Sequence, residues 1–375
     1  MKLYRIISNT RLFEFGDAIL EVPILGRPLG QLQEEFAQAL GLTIHDVPNE
    51  QEITASTYMV FREDLFFTQA FLQEALNISR RSNQSLQFAL KENDFNRRFI
   101  LPFSKNDSND YVFDFKYVKK GSEIKHHWMS QTIYDYDVQL PNQIVKGGHF
   151  PMPQCNRFAA HIISPFHLLQ VNMAVNLNRT ISIQKGRLKS YFKGMRGKIG
   201  SFFFYHALRK LNKIGRRSFI HPTAVIEGSV IGDDVKIGAH AIVRLSHVGD
   251  GSTISDNVVV ANSVLGKQTY ISNSNYIELC MTYQEAFMIH GPYQFSIFGK
   301  NSACFAVINC DYRLDQNNIK IPTSIGIVDS KQPLLGIAYG HRSKTGGGSI
   351  IAAGRIVPND LHINPPDNIH LKFDR

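Results

Sequence analysis

Fourteen histidines and four cysteines carry most of the proton-transfer and nucleophilic chemistry open to this 375-residue chain. An imidazole titrates near neutral pH, so it suits a general base acting on an amine or hydroxyl. His290, in MIHGPYQF, is the first candidate and His240, in IGAHAIV, the second. A third group is His341, Arg342 and Lys344, which precede three glycines in YGHRSKTGGG. Backbone N–H groups beside positive charge suit phosphate oxygens; the same stretch also reads as a turn with solvated charges. Asp135 and Asp137 fall on one face of an alternating strand, where they could hold Mg²⁺ or form the wet face of an edge. His126, His127, His149, Cys155, His161 and His167 cluster loosely, but no pair has the i, i+4 spacing of a helical zinc site.

Which of these side chains can reach a ligand depends on a repeat in the second half. From Ile214 the chain aligns in blocks of 17 residues: IGRRSFIHPTAVIEGSV, IGDDVKIGAHAIVRLSH, VGDGSTISDNVVVANSV and LGKQTYISNSNYIELCM. One column holds Ile214, Ile231, Val248 and Leu265, each followed by glycine. Six residues on stand Ile220, Ile237, Ile254 and Ile271; six further stand Ile226, Val243, Val260 and Ile277. A step of 6, 6 and 5 fits neither helical nor simple strand periodicity. It fits a chain turning about 120° every six residues, so that three short strands close a triangular coil with aliphatics inside. Four positions after each aliphatic residue a small or β-branched one is expected inside too: Ser218, Ala224, Val235, Ala241, Ser252, Val258 and Thr269.

The rhythm extends through Met281, Phe287 and Tyr293, then Phe298, Cys304 and Cys310, which makes the two cysteines small core residues. Thr345, Ile351 and Val357 mark a closing coil, and the stretch 311–344 reads as an excursion loop. In this register His290 and His240 point out from corners, whereas His247 falls in an inward slot.

FIHPTAVIEGSVIGDDVKIGAHAIV and GGGSIIAAGRIVPND resemble the hexapeptide-repeat transferase superfamily. The resemblance covers residues 214–360 and implies a left-handed parallel β-helix assembled as a homotrimer. It further implies acyl transfer from acyl-CoA to a sugar or nucleotide sugar, in cell-envelope or polysaccharide synthesis, with one histidine as base. It leaves open a non-catalytic nucleotide-sugar-binding scaffold, because the superfamily holds both.

Residues 1–180 read as an α/β domain. Strands are expected at 3–7, 57–61, 111–118 and 132–140, and helices at 29–40, 64–78 and 165–178. DAILEVPILGRPLGQLQEEF is distantly similar to a sugar-phosphate nucleotidyltransferase domain. The two-domain layout resembles that of the bifunctional N-acetylglucosamine-1-phosphate uridyltransferase/glucosamine-1-phosphate acetyltransferase. Such domains approach the triphosphate with a glycine-rich loop after their first strand. Here the corresponding loop, SNTRLFEFGD, has no G-x-G, so the domain reads as degenerate, with nucleotidyl transfer, and Mg²⁺ for it, as the alternative activity.

The net charge of +9 is local. From Gln184 to Arg217 there are eleven Lys and Arg residues and no acid. The segment 181–213 is therefore a basic connector holding Tyr191, Phe192 and Phe202–Tyr205. It packs on a neighbour or touches an anionic membrane surface. No nucleic-acid motif accompanies the charge, which places nucleic acid last. No run of 18 uncharged apolar residues and no secretory signal appears, so the expected place is cytoplasmic or peripheral at the inner face of the membrane. Residues 361–375 read as a tail.

Overall fold

The structure is a computed structural model, and it describes residues 1–103, 110–134, 137–139, 149–179, 181, 208–315 and 317–364. Two compact units emerge. One comprises Met1–Gly194 and Lys320–Gln332; the other comprises Met195–Ile319 and Pro333–Arg375.

The first unit is α/β. Its elements are β1 (Lys2–Ile6), α1 (Leu29–Gln38), β2 (Ile44–Val47), β3 (Thr57–Arg62), β4 (Leu65–Phe67), α2 (Gln69–Arg81), β5 (Ser85–Leu90), α3 (Asp94–Phe99), β6 (Tyr111–Lys119), β7 (Ile124–Trp128), β8 (Ala159–His161) and α4 (Pro165–Asn178). The main sheet runs β2-β1-β3-β6-β5-β7. β2, β1 and β3 are parallel, β6 is antiparallel to both neighbours, and β7 is parallel to β5. Alternation explains β6: Tyr111, Phe113, Phe115 and Tyr117 are buried while the residues between them are not. Phe115 packs against Phe61, Phe67, Phe71 and Phe88 with ring centroids 5.4–5.9 Å apart.

The helix expected over 64–78 starts later. Leu65–Phe67 instead pairs antiparallel with Ala159–His161, and the Thr68 hydroxyl accepts from Phe71 N at 3.3 Å to open α2. Three aromatic and aliphatic side chains in a row favour a doubly buried strand over a helical face.

The second unit is a left-handed parallel β-helix; among the described residues its parallel sheets have eight, eight and five strands, with a further parallel pair, Ile308–Asn309 on Ile350–Ile351. The aliphatic columns stack in register. On the first face Ile214, Ile231, Val248 and Leu265 pair in turn, on the second Ile220, Ile237, Ile254 and Ile271, and on the third Ile226, Val243, Val260 and Ile277. They form one core, with Ile220 packed at its end, from which only Ile214, 54% exposed, is left out. The glycines after the first column have no positive φ. They are required by coil-to-coil approach: a Cβ on Gly266 would stand 2.4 Å from the Tyr283 carbonyl carbon.

Beyond Ile277 the interior departs from the expected slots. Thr282, not Met281, pairs with Phe298, and Met288, not Phe287, pairs with Ile271 and Cys304. The Thr282 hydroxyl is satisfied by Thr269 Oγ1 at 2.8 Å and Gly266 N at 2.8 Å, so a polar residue fits an inward slot. Cys304 is buried, but Cys310 is exposed; Asn309 takes the column and its Oδ1 accepts from the Tyr339 hydroxyl at 2.6 Å. At the third corner the buried small residues come three positions after the aliphatic one: Ser229, Ser246, Ser263, Cys280 and Ser296. The inward slot assigned to His247 thus belongs to Ser246, and His247 aligns with Val230 and Val264 on the outer row.

The β-helix resumes at Ala338–Tyr339, which stacks on Ile297–Phe298. Residues 338–344 therefore belong to a coil rather than to the excursion. Within the excursion, Lys320–Thr323 and Gly326–Asp329 form a hairpin. That hairpin belongs to the first unit, where Gln332 bonds the Arg98 carbonyl and side chain.

Candidate functional site

The corner between the second and third faces carries a column of left-handed backbone: His240, Asn257, Ser274, His290 and Ala306 have φ of 56, 57, 58, 55 and 51°. Consecutive coils are tied there by Asn257 N to Ala239 O, Ser274 N to Asp256 O and Ala306 N to Ile289 O. Left-handed backbone at a tight corner throws the side chain outward, and both histidines are exposed. They share one column but stand three coils apart. At about 4.8 Å per coil that is ~14 Å, too far for one proton transfer to involve both.

His290 occupies an irregular corner. Ile271 pairs with Met288 at a spacing of 17 residues, yet Ile277 pairs with Tyr293 at 16, so one residue is missing between 288 and 293. Asn275 Oδ1 accepts from Gly291 N, and the Tyr293 hydroxyl donates to Ile289 O at 3.0 Å, which fixes the backbone on both sides of His290. On the second face beside this corner lie the outer rings of Tyr270, Phe287 and Phe305, with Tyr270 and Phe287 stacked at 5.1 Å. On the third face the Tyr276 hydroxyl donates to Glu278, whose Oε2 also accepts from Gln294 Nε2 at 3.5 Å. Burial, then the Glu278 contact, raises the Tyr276 hydroxyl well above its ordinary range. These two residues were not among the sequence candidates. For Glu278 a signal was present: Glu227, Arg244, Ala261 and Glu278 form one outward column of the 17-residue repeat.

The triple glycine joins the same corner. Gly348 N donates to Ala306 O at 3.2 Å, and Gly346 N to Ile363 O at 2.7 Å. Lys344, exposed, leads into that turn from the second face. His341 and Arg342 lie elsewhere, at the corner between the first and second faces. His341 is buried; its Nδ1 accepts from Lys300 N at 2.8 Å, so its proton sits on Nε2. Asp233 Oδ1 with Arg216 N and Asp250 Oδ1 with Asp233 N do the same work in other coils. Arg342 is gripped by both oxygens of Asp360 at 2.6 and 2.7 Å. The structure thus places Lys344 and Gly346–Gly348 along the same corner as His290, two coils further on, and gives His341 and Arg342 tasks in coil stacking.

In the first unit Asp135 lies outside the described residues. Asp137 is in a strand paired with His149–Pro151, and the side chains of that pair lie outside the description. Among the described residues the remaining histidines do not converge on a metal. His161 Nδ1 bonds Asp64 Oδ1 at 3.0 Å, and its Nε2 accepts from Asp114 N at 3.2 Å. Arg62 grips the same Asp64 carboxylate. Burial pushes the Asp64 carboxyl up, but His161 and Arg62 together more than offset it, and it lies well below the usual carboxylate range. His167 donates from Nε2 to Pro102 O at 3.0 Å and takes the Ser164 hydroxyl on Nδ1 at 2.9 Å. Cys155 is buried, with burial raising its thiol. Among the described residues no group of three or more His, Cys, Asp or Glu could hold a metal ion. Residues 184–207 of the basic connector lie outside the description; Arg217, at its end, pairs with Asp234. Among the described residues no helix is long and apolar enough to cross a membrane.

Residues 213–244 match the family described as bacterial transferase hexapeptide (six repeats). No curated protein matches the chain. Among solved structures it is similar to a mutant of GDP-perosamine N-acetyl transferase from Caulobacter crescentus in complex with CoA and GDP-perosamine. That likeness has 14% identity and a TM-score of 0.19, over 40% of this chain and 51% of that one. A Bacillus cereus protein assigned as an acetyltransferase is similar at 13% identity and a TM-score of 0.19, over 40% of this chain and 77% of its own. The chain spans about half the length of the first of these.

Proposed function

We propose that the β-helix transfers an acyl group from acyl-CoA to an amino or hydroxyl group of a sugar or nucleotide sugar, at the corner of His290. The observation that supports this best is the hexapeptide transferase match over the first coils, continued by coils that carry an exposed imidazole at an irregular corner. In this reading His290 removes the proton as the acceptor attacks the thioester carbonyl. The new C–N or C–O bond forms, the C–S bond breaks, and the proton passes from the imidazolium to the leaving thiolate. Lys344, exposed beside the turn Gly346–Gly348, supplies charge for the donor's phosphates. Three copies about the helix axis would wall the groove, a homotrimer that sedimentation can test. The Arg- and Lys-rich connector would then appear three times on one side, suited to an anionic membrane surface.

The test is thiol release from acetyl-CoA in the presence of a panel of nucleotide-linked amino and hydroxy sugars, with products identified by mass. Acceptor-dependent release supports the proposal. Saturable binding of a nucleotide sugar without release, across acetyl and longer acyl donors, makes the chain a binding scaffold instead.

A further inference from the structure

The first unit has the layout in which open α/β sheets take ligands. β1 leads through α1 to β2 on one side, and β3 leads through β4 and α2 towards β5 on the other. The crevice outside the carboxyl ends of adjacent parallel strands with diverging connections is where such sheets take phosphate groups. In this unit it lies between the ends of β1 and β3.

A backbone built for an anion is present there. Asn9 has φ of 53°, left-handed backbone between two ordinary residues, and this turns the N–H groups of Ser8 and Thr10 inward together. Both donate to the same atom, Glu63 Oε1, at 2.8 Å each. Glu63 is the residue directly after β3 and is 2% exposed, although Ser8 and Asn9 are themselves exposed. Two more bonds hold it in place. Its backbone N–H donates to Ile6 O at 3.1 Å, and its carbonyl accepts from the buried Gln33 Nε2 at 3.0 Å. The neighbours on either side are committed as well, Arg62 and Asp64 to each other.

We infer that residues 8–10 form an anion nest whose resident occupant is the protein's own Glu63 carboxylate, so that the crevice of the first unit is closed to phosphate groups. A bound phosphoryl oxygen would need the N–H groups that Glu63 already holds, and would meet a buried negative charge. Nucleotidyl transfer needs that crevice to take a triphosphate. The first unit therefore serves the chain in a role other than nucleotidyl transfer.

The experiment is thermal unfolding of the full chain in a weakly coordinating buffer, titrated with inorganic pyrophosphate, Mg-UTP or acetate. Any saturable rise of the wild-type midpoint should be lost in Lys344→Ala, at the proposed donor site, and none should come from the crevice. Glu63→Ala should unfold at lower temperature and be rescued saturably by acetate or pyrophosphate, since a ligand that binds only the folded state raises its stability. Glu63→Gln, which keeps the acceptor oxygen and drops the charge, covers the case in which the alanine variant does not fold; it should gain a pyrophosphate response that wild type lacks. Saturable stabilisation of wild type by pyrophosphate or Mg-UTP that survives Lys344→Ala and equals that of the Glu63 variants would overturn the inference. So would folded variants that gain no anion response. Neither result depends on acyl transfer at His290.

Discussion

The histidines divide by what their ring nitrogens hold. His161, His167 and His341 are tied to protein groups, while His240 and His290 are exposed on left-handed corners. His167 has a measurable consequence. Burial lowers its pKa from 6.5 to about 4, and the Pro102 carbonyl only partly opposes this. The folded state then binds fewer protons than the unfolded chain between these values. Its contribution is complete above pH 6.5 and is lost as pH falls towards 4, about 3 kcal/mol in all. Denaturant midpoints should drop across pH 6.5 to 4 in wild type, and His167→Gln should flatten that part of the profile. Sequence spacing showed that His290 and His240 face outward. It could not show that His341 substitutes for an aspartate in the coil ladder, because that role depends on a backbone N–H 41 residues away.

At the scale of elements, the coils were legible for as long as their inward residues were aliphatic. From Ile214 to Ile277 the period of 17 and the stacking agree column by column. The reading drifted by one residue where Thr282 took an inward slot and again where Asn309 did, because each satisfies its polar atoms inside the coil. The missing residue beside His290 then altered the spacing for the next turn. In the first unit α4 was legible from Ser164-Pro165, but β2 and β7 were not: IHDV and IKHHW carry too few buried positions to show a strand period. Because each coil rests on its neighbours, the cost of a cavity depends on place. Ile254→Ala, at 0% exposure in the middle of the stack, should destabilise by about 2–5 kcal/mol in chemical denaturation. Ile214→Ala, in the half-exposed terminal coil, should cost under about 1 kcal/mol.

For the whole molecule, sequence alone separated an α/β unit from a repeat unit. It could not show that residues 320–332, an excursion from the repeat, complete the first unit through Gln332 and Arg98. Nor could it show that the first unit's crevice is held by Glu63. With that crevice closed, as inferred above, the acyl transfer proposed for the His290 corner is the chemistry to test. The measurement that bears on this most directly is kcat/KM for acyl transfer in His290→Ala and His240→Ala, with folding monitored by circular dichroism. A general base contributes ~10²–10⁴-fold, so His290→Ala should lose at least about 100-fold with its spectrum unchanged, and His240→Ala should stay near wild type. Full activity in a folded His290→Ala enzyme would contradict the account.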